Sequence, residues 1–143
     1  MNDKTITVYN HHKNADKTDV WQRTVIHGVE YSYHMEKTVS SNGAVVLTEL
    51  FTVVIPVGAD TSGRKYIDAV DYEKLADNEV INYWTINSAN NKDMIVGGIS
   101  EKEIGSDYKV SALKKDFQKA GIVAGFSDNT DGAMLKHYKV VCK

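Results

Sequence analysis

Glu30-Tyr31-Ser32-Tyr33-His34-Met35-Glu36, then Ser40-Ser41-Asn42-Gly43, then Val45-Val46-Leu47-Thr48-Glu49-Leu50-Phe51-Thr52-Val53-Val54-Ile55: this stretch reads as a β-hairpin. From Trp21 onward the odd positions are mostly apolar, namely Trp21, Val25, Val29, Tyr31, Tyr33 and Met35. Their even neighbours Glu30, Ser32, His34 and Glu36 are polar. Such alternation marks a strand with one face packed and one wet, bent near Gly28. Asn42-Gly43 supplies the tight turn. The return limb, Ala44 to Ile55, is apolar on both faces, the pattern of a central strand covered on both sides. Pro56 ends it, because proline cannot donate to a ladder.

Upstream, Thr5 to Tyr9 is a short strand, followed by a polar loop from Asn10 to Asp19. Downstream, Val57 to Lys65 is a loop of small and polar residues, and Asp71 is placed to cap one or two helical turns through Leu75. Trp84 to Asn87 and Met94 to Ile99 read as a second hairpin, bent at Gly97-Gly98. Ser111 is the expected cap of a helix in which Leu113, Phe117 and Ala120 share a face, with Gly121 at its C-terminal stop. A last hairpin joins Ile122–Phe126 to Met134–Val141. The sum is seven or eight strands and one helix. The expected fold is α+β but mainly β: a small single-domain antiparallel β-barrel or sandwich spanning residues 1–143, with one helix in the C-terminal half.

The chain has 143 residues, 42% hydrophobic and 25% charged, which excludes disordered and fibrous classes and suits one core. Seventeen basic and nineteen acidic residues leave a charge of −2, so strong adhesion to DNA or an anionic membrane is not expected. No apolar run is long enough to span a bilayer, and the first residues carry no secretory h-region. The single cysteine, Cys142, has no internal partner, as suits a reducing cytosol. These features describe a soluble cytoplasmic domain.

Several patterns approach known chemistry and stop short. Gly58-Ala59-Asp60-Thr61-Ser62-Gly63-Arg64-Lys65 resembles a phosphate-binding loop, but Arg64 stands at the lysine position, Lys65 replaces the hydroxyl, and no helix follows. Ser127-x-Asn129-x-Asp131-Gly132 begins like a calcium loop, yet its first position is serine and its twelfth is Tyr138. His11 and His12 sit in the polar loop, His27 lies among packed strand residues, His34 is on a wet face, and His137 is in the last strand. None has metal-ligand spacing to a partner. Glu30, Ser32, His34 and Glu36 share a face, as on any solvated strand, and Cys142 has no orienting base. No cofactor, metal or catalytic residue is therefore expected. Lys136-His137-Tyr138-Lys139, with Lys114, Lys115 and Lys119, is the nearest approach to a nucleic-acid surface.

The stretches Ile6-Thr7-Val8-Tyr9-Asn10 and Trp21 to Val29 are similar to the start of small proteins of phages and prophages of Gram-positive bacteria. Pro56, Asp60 to Ile67, Tyr83-Trp84-Thr85, Asp93 to Gly98 and His137 to Val140 extend the likeness. Together they resemble an uncharacterised Firmicutes phage family of minor capsid or head–tail joining proteins. The resemblance implies a structural, non-enzymatic virion subunit of head–tail connector or head-completion (stopper) type, with tail completion as the nearest variant. It implies portal or adaptor and tail components as partners, a homo-oligomeric ring, and no more than non-specific contact with packaged DNA. The protein would reside in host cytoplasm during assembly and then in the virion. A loop projecting into the channel is expected, with Asp60, Thr61, Ser62, Gly63, Arg64 and Lys65 as the first candidate and Asn10 to Asp19 as the rival. From another class, the alternative is a small barrel that binds single-stranded nucleic acid or another ligand.

Overall fold

The computed structural model describes residues 3–131 and 136–143. Its longest element is β2 (Asp19–Val39), a strand of 21 residues that serves two neighbours in succession. Residues 19–29 pair with β1 (Lys4–Lys13), and residues 30–39 pair with β3 (Val45–Pro56), both antiparallel. The change of partner falls at Gly28, where φ is +84° and the β1–β2 register slips by one residue. An extra residue in a strand reverses which face its successors occupy. Thr24 and Ile26 are buried before Gly28, whereas Val29 is buried after it, with Tyr31 and Tyr33 half-buried. The apparently continuous odd-numbered apolar face is therefore two faces joined by a bulge, and Trp21 packs outside the barrel.

Short elements follow: β4 (Lys65–Tyr66), α1 (Ala69–Glu73), a 3-10 turn (Val80–Asn82), β5 (Tyr83–Trp84), β6 (Met94–Gly97), α2 (Ala112–Asp116), β7 (Ala120–Asn129) and β8 (His137–Cys142). Six strands close into an antiparallel barrel in the order β1-β2-β3-β8-β7-β6, with β6 returning to β1. The fold is thus the mainly-β barrel that the alternation pointed to. Part of the final turn, residues 132–135, lies outside the described residues, as does the start of the expected strand Met134–Val141.

Ile6, Val8, Ile26, Val29, Phe51, Val53, Ile55, Ile95, Val123 and Val140 fill the interior, and Trp84 and Ile86 join the same cluster. A second cluster lies outside the wall, where Tyr9, Met94 and Val96 meet Leu113 and Ala120. The strap of residues 98–119 covers it, fastened where the Tyr9 hydroxyl donates to the Lys102 carbonyl at 2.6 Å. The strands covered on both faces are therefore β1 and β6, not β3. The strap supplies that cover, and it is a tertiary event invisible in local periodicity.

Other expectations change as well. β1 continues through His12 to Lys13, so the polar loop shrinks to residues 14–18. Tyr83–Trp84 pairs in parallel with β4 and forms no hairpin with β6. Asp71 lies inside α1, whose flanking residue is Asp68. α2 stops at Asp116 because Phe117 is extended, and Ala120 and Gly121 belong to β7. A Cβ on Gly121 would approach Cys142 Cβ and the Lys143 backbone at 3.0 Å, so glycine there reflects close strand approach rather than a helix stop.

Candidate functional site

The loop Asp60–Lys65 lies flat along the barrel wall. Residues 19–29 of β2 have β1 on one edge, and on the other this loop takes the place of a strand. His27 N donates to Asp60 O at 2.8 Å and Asp60 N returns a bond to His27 O at 2.9 Å. Ser62 Oγ donates to Val25 O at 2.6 Å, and Arg64 Nη1 donates to Arg23 O and Thr24 Oγ1, each at 2.6 Å. Backbone groups of Arg23, Val25 and His27, every second residue, are thereby satisfied as a ladder would satisfy them. Thr61 Oγ1 closes the loop on Arg64 O at 2.5 Å. Lys65 begins β4, so no helix opens at the lysine of the phosphate-loop lookalike. The loop expected to project is instead an edge cap. The rival loop is also tied down, with Ala15 N donating to Asp77 Oδ1 at 3.1 Å.

What projects is the hairpin itself. The last β3–β8 pair is Phe51↔Cys142, and β1 leaves β2 at Val29. Six further β2–β3 pairs, His34↔Leu50 to Val39↔Val45, have only each other. At about 3.3 Å per residue this arm reaches roughly 20 Å beyond the rim. Ser40 N to Ala44 O and Gly43 N to Ser40 O, both 2.9 Å, close its tip, with Gly43 at φ +85°. Cross-strand partners share a face, so Met35, Lys37 and Val39 lie beside Glu49, Leu47 and Val45. This face continues the one that buries Phe51 and Val53 inside the barrel. Met35, Val39, Val45 and Leu47 are 49–65% exposed, and Val46 on the other face is 53% exposed. The expectation that this limb is covered on both sides holds for neither side between residues 45 and 48.

The root of the arm is braced. Lys114 Nζ from α2 donates to Glu49 Oε2 at 2.9 Å and to Ala120 O at 2.8 Å. That bond holds the Glu49 carboxyl below its ordinary range. Lys4 donates to Tyr31 O at 3.0 Å and lies over the Tyr31 ring, whose edge meets Phe51.

The titratable residues do not converge. His11 pairs with Asp19 at 2.8 Å, and His12, buried, bonds Leu75 O at 3.0 Å. His27 is exposed, contrary to its reading as a packed residue, and its Nδ1 lies 3.0 Å from Thr5 Oγ1. His34 is exposed 4.0 Å from Glu36, and Asn129 lies 3.2 Å from His137 Nε2. Of the calcium-loop lookalike, Ser127 and Asn129 are strand residues and Gly132 lies outside the described residues. Among the described residues no three His, Cys, Asp or Glu gather around one point. No described helix is long and apolar enough to cross a membrane.

Two features had no sequence signal strong enough to single them out. Asp93 is 1% exposed, yet its carboxylate accepts from Asn10 Nδ2 at 2.8 Å, His11 N at 2.9 Å and Asn90 Nδ2 at 3.0 Å. Burial pushes its pKa up, and those donors pull against it. Asn10 also brackets Thr85, which pins the Trp84–Ile86 segment to β1. The second feature is a stack of rings, Tyr66 on Tyr138 at 4.5 Å and Phe126 on Tyr138 at 5.8 Å. Tyr66 and Phe126 border a shallow groove of about 390 Å³ with Asp68 and Glu73 on its wall.

Neither a curated protein nor a solved structure matches this chain. A family model does match, over residues 1–143. The chain belongs to that family, described as a family of unknown function (DUF6751).

Proposed function

We propose that this protein is a non-enzymatic structural subunit of a phage or prophage virion, of the head–tail connector or head-completion (stopper) type. One observation carries the reading: a closed barrel extends two of its own strands into an arm whose apolar residues no other described residue covers. A monomeric protein rarely leaves a contiguous apolar surface bare, and such a surface marks an assembly contact. The resemblance of Trp21 to Val29, Asp60 to Ile67 and Asp93 to Gly98 to virion joining proteins supplies the setting. Portal or adaptor and tail components are then the partners. The arm replaces Asp60–Lys65 as the element offered to neighbours or to the channel, because that loop is committed to β2.

The test is deletion of the gene from the phage or prophage that carries it, followed by electron microscopy of the induced lysate. Emptied heads beside free tails support the proposal. Intact infectious particles overturn it.

A second reading, a barrel binding single-stranded nucleic acid, draws on the Tyr66–Tyr138–Phe126 stack. Base-stacking sites also need cationic walls. Here Asp68 and Asp128 bear on both tyrosines, the wrong sign for a phosphate chain. A salt-sensitive mobility shift with an oligonucleotide would revive this reading.

A further inference from the structure

From the arm's open edges and bare face we infer that the hairpin of residues 34–50 is a self-association element, which pairs edge to edge with the arm of a second copy of this chain. This rests on the structural-subunit reading only for its biological setting. The physical argument is separate. In a two-stranded ribbon each strand satisfies its backbone on one side, so alternate N–H and C=O groups of residues 34–39 and 45–50 point outward with no described strand beside them. Proteins blunt such edges with proline, bulges or a covering segment. The same chain does so elsewhere, where Asp60–Arg64 covers the open edge of residues 23–27. The arm has no proline, its register is unbroken from Glu30↔Val54 to Val39↔Val45, and no described strand pairs with either edge.

A second copy fits better than an unrelated partner because the two edges complement each other. One is β2 and the other is β3, and they run in opposite directions. Setting β3 of one copy beside β2 of the next repeats the antiparallel pairing already used inside the hairpin. In that register Val45 faces Val39 across the seam, and Leu47 lies diagonally beside both Val39 and Met35. On that face the β2 edge carries Lys37 and the β3 edge carries Glu49, which become diagonal neighbours within reach of long side chains, so unlike charges lie close where two like edges would bring like charges together. Each copy offers both edges, so the contact is heterologous and propagates, as a ring where the rotation between copies closes and as an open filament where it does not.

The test is sedimentation velocity of the full chain over a wide concentration range, with amide hydrogen exchange on the same samples. The expected result is a mass that rises with concentration, together with slowed exchange confined to residues 34–39 and 45–50. Leu47→Glu and Val39→Lys should each weaken association at least tenfold while leaving the circular dichroism of the barrel unchanged. Ile81→Glu, at a residue 56% exposed on the 3-10 turn, should have no effect. A monomer at every concentration overturns the inference, as does association that the arm variants leave unaltered. The same variants placed in the phage separate the two claims. Loss of association in the arm variants, with infectious particles intact on gene deletion, sinks the virion reading alone. Unaltered association, with particles still lost on gene deletion, sinks the arm inference alone.

Discussion

Gly28 decides where β2 changes partners. A side chain at φ +84° meets the clash that keeps non-glycine residues out of the left-handed region, at about 1–2 kcal/mol. Gly28→Ala is therefore expected to destabilise the protein by about that amount, as a lower midpoint in urea unfolding with an unchanged slope. Asp93 is a second residue on which much depends. Asp93→Ala would leave Asn10 Nδ2, His11 N and Asn90 Nδ2 without their acceptor in a buried site. A loss of about 3 kcal/mol is expected, measured by the same unfolding curves at neutral pH. Cys142 supplies a contrasting case. Burial raises its thiol pKa to about 12, so at pH 8 it is a protonated, inert core residue. A thiol reagent should label the native protein only at the rate of global opening, and immediate labelling would contradict this.

Among the elements, the brace between α2 and the arm titrates. The Glu49 pKa is held below its ordinary 4.5 by Lys114, so the contribution of the pair is complete above about pH 4.5 and is lost as pH falls through the depressed value. Amide exchange at the arm root, residues 47–51, should accelerate below that range in the native protein. It should lose this pH dependence in Lys114→Met.

The same scale shows what local pattern could convey. The Asn42-Gly43 turn, the bend at Gly28 and the final β7–β8 hairpin are all legible, because turn chemistry and strand alternation are written within a few residues. The coverage of strands is not. Val45 to Leu50 looks like a buried strand, yet it is bare. The Thr5 to Tyr9 segment alternates as an ordinary strand would, yet both of its faces are buried: Ile6 and Val8 point into the barrel, and a strap more than ninety residues away in sequence is fastened to Tyr9. The arm, the heart of the candidate site, was legible as a hairpin but not as a projection. Its exposure follows from a mismatch of lengths: a strand of 21 residues shares a barrel with one of 6, and only the closed topology reveals the excess.

For the whole molecule, barrel and arm should be separable. No arm residue between 36 and 48 belongs to either hydrophobic cluster. Replacing residues 36–48 with Asn-Gly, which joins Met35 to Glu49 by a two-residue turn, should leave unfolding stability within about 1 kcal/mol of the parent, as for surface changes generally. Under the proposed virion role, the shortened protein placed in the phage should reproduce the particle defect of the full deletion. A large loss of stability would mean that the arm contributes to the core after all.

The arm grows out of β2 and β3 without a hinge, and this has a mechanical consequence. A pull on its tip runs along two strands that are stapled into the wall by ten β1–β2 pairs and six β3–β8 pairs. Hydrogen bonds in such ladders lie across the strand direction. A load along the arm therefore strains them in shear, all at once, and cannot peel them apart singly. The hairpin behaves as a tie-rod anchored through the depth of the barrel, suited to a junction that carries sustained tension or pressure.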